Sequence, residues 1–165
     1  MGHNGRGKST LAFYLAGLLD YEEADFYLNG HALSAHDRLK QTAFVLQEVA
    51  LQLFSDSVQK ELTLGLKKVV DASNILENLG LKGLEDRHPM TLSGGEMQRL
   101  VIASQVLAQK RVFIFDEPSS GLDYLQMLQV ADLLKVLKEQ GKIILLISHD
   151  EELLEKTADY FLTLN

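Results

Sequence analysis

The chain has 165 residues, 46% of them hydrophobic, enough for one domain with its own core. A net charge of −7 and a pI near 5.2 argue against a nucleic-acid-binding surface, which is normally basic. There is no cysteine, so no disulfide scaffold, and no apolar run is long enough to span a bilayer.

The first ten residues open on Gly2-His3-Asn4-Gly5-Arg6-Gly7-Lys8-Ser9-Thr10, which fits G-x-x-x-x-G-K-[ST]. Polyphosphate needs several backbone N–H groups converging on its oxygens, so the loop must curl tightly and carry little bulk. Gly2, Gly5 and Gly7 meet that need, with Asn4 and Thr10 in the same loop. Lys8 then reaches the terminal phosphates and Ser9 offers a hydroxyl to Mg²⁺. This glycine loop is not a signal peptide.

Residues 8–19 read as a helix, with Leu11, Leu15, Leu18 and Leu19 on one side. Residues 26–28 make a short strand turning at Asn29-Gly30, and residues 43–46 a buried strand ending at Gln47. Residues 55–79 carry apolar side chains at helical spacing until Gly80. A loop at 91–95 precedes a helix over 96–108, and residues 112–115 form an apolar strand running into Asp116-Glu117-Pro118. A strongly apolar helix spans 125–140, closed by Gly141. The strand at 143–147 leads to Ser148-His149-Asp150, followed by a helix over 151–157 and a last strand over 160–164. Strands alternating with helices give an α/β fold, a mainly parallel sheet covered by helices on both faces. The stretch of about 49–108 lacks strands and reads as a helical subdomain inserted between core segments 1–48 and 109–165.

Ligands in open α/β sheets bind beyond the carboxyl ends of the strands. Three such ends deliver polar groups here: Gln47, the pair Asp116 and Glu117, and His149. Asp116 suits a Mg²⁺ ligand and Glu117 a general base on an attacking water. Gln47 suits the metal or that water, and His149 the terminal phosphate. Ser93-Gly94-Gly95 before a helix makes a second cup of N–H groups for an anion. Two such cups in one chain suit a two-fold head-to-tail dimer, each subunit completing the other's site.

On these motifs the chain resembles an ATP-binding cassette (ABC) ATPase, a P-loop NTPase-like fold. Gly2 to Ser9 matches the Walker A loop and Val112 to Asp116 the Walker B strand, with Glu117 on the catalytic base. Leu92-Ser93-Gly94-Gly95-Glu96-Met97-Gln98-Arg99 resembles the signature, Ser120-Gly121-Leu122-Asp123 the D-loop, Gln47 the Q-loop and His149 the switch histidine. The resemblance implies ATP with Mg²⁺, a sandwich homodimer or a heterodimer with a paralogous ATPase, and transmembrane transporter subunits docking on the helical subdomain near Gln47. It also implies a cytoplasmic protein, peripheral on the inner face of the membrane, and no nucleic acid. The segment from Gln47 through Gln52-Leu53-Phe54 to Glu61-Leu62 is similar to energy-coupling-factor (ECF) transporters, importers of vitamins or metal ions. The family's strands ahead of the Walker A loop have no counterpart before Gly2, so an N-terminally truncated chain is expected. The alternatives are a non-catalytic remnant or the ATPase of another ABC transporter type.

Overall fold

The structure is a computed structural model that describes residues 7–19, 24–66 and 70–162. Its centre is a parallel sheet of β3 (Thr42–Val45), β4 (Val112–Asp116) and β5 (Ile143–Ile147), in that order. β4 lies in the middle and is the most buried: Phe113, Ile114 and Phe115 are fully enclosed. Burying each such side chain contributes about 1.5–3 kcal/mol.

Alternation along the strands divides the core into two faces. Ala43, Val45, Phe113 and Phe115 face α5 (Gly94–Leu107) and α6 (Tyr124–Glu139), with Leu153 of α7 (Glu151–Thr157) in the same cluster. Phe44, Ile114 and Ile147 face α1 (Lys8–Ala16) through Ala12 and Ala16, and the Phe13 ring lies 5.3 Å from that of Phe44. The α/β architecture expected from the strand pattern is therefore present, helices covering both faces of a parallel sheet. A third cluster joins α3 (Val58–Thr63), α4 (Ser73–Asn78) and α5 through Val58, Leu62, Leu76, Leu79 and Leu100.

The long helices start where their side chains can cap them. Ser93 and Glu96 form a capping box at α5, and Asp123 and Gln126 another at α6. α6 then buries Met127, Val130, Ala131, Leu134 and Leu137 as one stripe at helical spacing.

The structure departs from the sequence-based expectations in four places. α1 stops at Ala16, because Gly17 takes φ +79 and lies so close to α2 (Ala35–Gln41) that a Cβ there would stand 2.2 Å from the Ala35 carbonyl oxygen. α2 itself was not expected; Ser34 caps it by accepting from the Asp37 amide. The expected helical run over 55–79 breaks after α3, and α4 is the next helix among the described residues. The strand expected over 160–164 is absent from residues 160–162, and 163–164 lie outside the described residues. A strand needs a ladder partner, and Tyr160, Phe161 and Leu162 instead border an apolar groove of about 280 Å³ along β5, with Leu11, Ile144 and Leu146. The turn at Asn29-Gly30 forms as expected, joining β1 (Tyr27–Leu28) and β2 (His31–Ala32), with φ +52 and +80 at its centre.

Candidate functional site

The sheet register fixes the geometry of the site. Val45 pairs with Phe115, and Asp116 with Ile147, so the three strands end nearly level. Their exits and the first turn of α1 enclose an open polar cavity of about 500 Å³. Gly7, Lys8, Ser9, Thr10, Gln47, Asp116, Glu117 and His149 all line it, together with Ser120. Of the expected phosphate-loop residues, Gly2, Asn4 and Gly5 lie outside the described residues.

The polar groups of the cavity contact one another. Lys8 Nζ lies 2.9 Å from His149 Nε2, and Ser9 Oγ donates to Asp116 Oδ2 at 2.8 Å. Asp116 is buried at the end of β4, so its carboxylate is nearly stripped of water. Such a group needs a donor or a cation. Ser9 supplies the donor, and the pair sets two oxygens side by side where a divalent ion can be shared with phosphate oxygens. Among the described residues no cluster of three or more His, Asp or Glu could hold a metal by itself.

Glu117 follows Asp116 with φ +51, a left-handed conformation that costs a non-glycine residue of order 1–3 kcal/mol. Its amide donates to the Ile147 carbonyl at 2.8 Å, which ties the turn after β4 to the end of β5. Its carboxylate turns towards that same exit: Oε2 accepts from the His149 amide at 3.2 Å and from Ser148 Oγ at 3.4 Å, and Oε1 stands 3.7 Å from His149 Nε2.

The strand end just before Gln47 is held by a residue that sequence reasoning did not single out for it. Gln52 Nε2 donates to the Phe44 carbonyl and its Oε1 accepts from the Leu46 amide, both at 2.8 Å. The side chain thus continues the ladder of β3 beyond its end and holds the strand exit in place. Ser120, expected only as part of the D-loop resemblance, lines the cavity, and Ser148 was overlooked as a site residue. The only signal for Ser148 was its place between an apolar strand and His149.

Ser93, Gly94 and Gly95 do not reach this cavity. They form the start of α5, Ser93 and Gly94 exposed and Gly95 half-buried, where the amide and hydroxyl of Ser93 both donate to Glu96 Oε2, at 2.7 and 2.8 Å. Those two bonds hold the Glu96 carboxyl below its usual range. Close packing sits behind the cup. A Cβ on Gly95 would lie 2.9 Å from Gln126 Oε1 and 3.3 Å from Leu122 Cδ2. The buried Arg99 donates from Nε to the Leu79 carbonyl at 2.8 Å; burial pushes its guanidinium down, opposed by Glu96 and Asp123.

The family model of ABC transporters matches residues 1–120. An ABC transporter ATP-binding protein of Treponema denticola is 40% identical over 166 residues, covering 99% of this chain and 34% of its own length. The energy-coupling factor transporter ATP-binding protein EcfA1 of Thermotoga maritima is 36% identical over 163 residues, covering 94% of this chain and 62% of its own. Among solved structures, cbiO1 of Clostridium perfringens, part of the ABC transporter complex cbiONQ, superposes with a TM-score of 0.74 at 28% identity, over 93% of this chain and 67% of that one. The chain thus spans about a third of the length of the Treponema relative.

Proposed function

This chain belongs to the ABC transporter family, and from that premise we propose that it is an ATP-binding and ATP-hydrolysing subunit that powers a membrane transporter, an importer of the energy-coupling-factor type for a vitamin or a metal ion. The observation that carries the reading is the convergence of Lys8, Ser9, Gln47, Asp116, Glu117 and His149 on one cavity from four separate chain segments.

In this reading Gly2, Asn4, Gly5, Gly7 and Thr10 belong to the loop around the phosphates, and Lys8 balances the charge of the terminal ones. Ser9, Asp116 and Gln47 would hold Mg²⁺, whose charge would neutralise the phosphate oxygens. Glu117 takes a proton from the attacking water, and His149, beside both Glu117 and Lys8, contacts the terminal phosphate. Ser93, Gly94 and Gly95, at the start of α5, meet the nucleotide held by a second cassette, either a copy or a paralogue.

The division into core segments 1–48 and 109–165 and a helical subdomain of about 49–108 belongs to the same proposal. Leu51 and Phe54 stand exposed in the turn just beyond Gln47 and suit the apolar surface of transmembrane subunits. Among the described residues no helix is long and apolar enough to cross a membrane, so the proposed place is peripheral, on the cytoplasmic face, held by those partners. The energy-coupling type is supported by the likeness to EcfA1 and to cbiO1.

The test is Glu117→Gln. Turnover should fall by at least about 100-fold, the scale of general-base catalysis, while MgATP still binds and nucleotide-loaded dimers accumulate. Hydrolysis at the parental rate would remove Glu117 as the base. Absence of MgATP binding by the parent protein would remove the whole reading.

A further inference from the structure

We propose that Ser148 is a positioning residue for Glu117: its hydroxyl holds the carboxylate in the orientation from which it acts on water. The inference rests on the reading of Glu117 as the general base.

Glu117 begins from an awkward place. Its backbone is left-handed at φ +51, and it directly follows the end of β4. Nothing in its own segment orients its carboxylate; the described bonds to it come from the exit of β5. The His149 amide reaches Oε2 at 3.2 Å and the Ser148 hydroxyl reaches the same oxygen at 3.4 Å. The amide is fixed by the backbone. The hydroxyl is the adjustable member, and it is itself held, because Ser148 Oγ accepts from the Asp150 amide at 3.0 Å. With one lone pair occupied by that amide, the hydroxyl proton is left to point at Glu117. Ser148 is buried, which shields this chain of bonds from competing water. Ser148 does not line the polar cavity; its hydroxyl reaches the site through Glu117.

A positioning role predicts a split between rate and affinity. A small misplacement of a reacting group can cost up to about 100-fold in rate without touching substrate binding. Ser148→Ala should therefore lower kcat about 10-fold or more, with KM and the directly titrated affinity for MgATP within about twofold of the parent. Ser148→Thr keeps the hydroxyl and should recover kcat to within about threefold. In the Glu117→Gln background, where no base remains to be positioned, Ser148→Ala should slow the residual rate no further.

Equal loss in Ser148→Ala and Ser148→Thr would assign the effect to packing and overturn the proposal. So would a parental kcat in Ser148→Ala, or an undiminished effect of Ser148→Ala in the Glu117→Gln background. If Glu117→Gln alone leaves kcat unchanged, the general-base reading fails first, and that result is separate from any behaviour of Ser148. Thermal unfolding of each variant identifies a misfolded protein, and rescue by threonine then carries the decision.

Discussion

Glu61 gives the sharpest test of how the exposed turn beyond Gln47 is held. It lies in α3 with only 3% of its surface exposed, yet it carries a carboxylate. Oε2 accepts from the amides of Phe54 at 2.9 Å and Ser55 at 2.7 Å. These bonds clamp the turn that leaves Phe54 76% exposed. Hydrogen bonds to a charged group are worth about 1.5–3 kcal/mol each. Phe54 is exposed and Ser55 only half-buried, so both freed amides can regain water and part of that energy. The net cost of Glu61→Ala is then about 2–3 kcal/mol, or roughly 4–12 °C in Tm for a chain of this size. Glu61→Gln keeps the shape and one acceptor and should lose about half as much. The assay is thermal unfolding followed by circular dichroism, with MgATP affinity measured in parallel. Affinity should hold, because Glu61 lies outside the polar cavity. A Glu61→Ala variant melting within about 1 °C of the parent would show that the clamp contributes nothing and that the turn is held by other contacts.

Gly95→Ala places a methyl 2.9 Å from Gln126 Oε1, the movable end of a side chain, so stability should fall by no more than about 1 kcal/mol. The change should still lower ATP turnover by disturbing the cup at α5, and adding Gln126→Ala should restore part of it; no rescue would mean that Gln126 is not the obstruction. The depressed Glu96 carboxyl gives a prediction in pH. Its folded value lies below the ordinary 4.5, so the capping box contributes in full above that value and is lost as pH falls through the folded one. The stability gap between the parent and Glu96→Gln should therefore shrink as the medium is acidified below pH 4.5; a gap that stays constant from neutrality downward would show that ionisation of Glu96 plays no part.

Much of this architecture was legible because burial and chemistry change abruptly at the strand ends. Phe113, Ile114 and Phe115 are the pattern of a strand covered on both faces, and two carboxylates directly after them need donors or a cation. The same reasoning reached Gln47 and His149, and all four residues line one cavity. The features that escaped depend on contacts between distant segments. The helical spacing over 55–79 does not show that Val58 and Leu62 of α3 and Leu76 of α4 belong to two separate helices, joined with α5 in the third core cluster. Residues 160–162 are apolar enough for a strand, but strand character is conferred by a neighbour, and among the described residues none pairs with them.

The roles of Ser148 and Gln52 were hidden for a related reason: each is a small polar correction to the register of the sheet. Asp116 pairs with Ile147, so the residues that follow each, Glu117 and Ser148, must come face to face. No local pattern encodes that meeting. It follows from the offset between strands about thirty residues apart in the chain, which the apolar alternation of β4 and β5 sets by burying one face against α1 and the other against α6. A one-residue slip of β5 along β4 would exchange Ile144 and Leu146 with Leu145 and Ile147 between the two faces and remove Ser148 from Glu117 at the same stroke. The packing of the core and the orientation of the carboxylate are thus one constraint, and a substitution that shifts β5 along β4 should be felt in turnover before it is felt in nucleotide binding, because the Glu117 carboxylate takes its bonds from the β5 exit whereas Ser9 is bonded to Asp116 of β4.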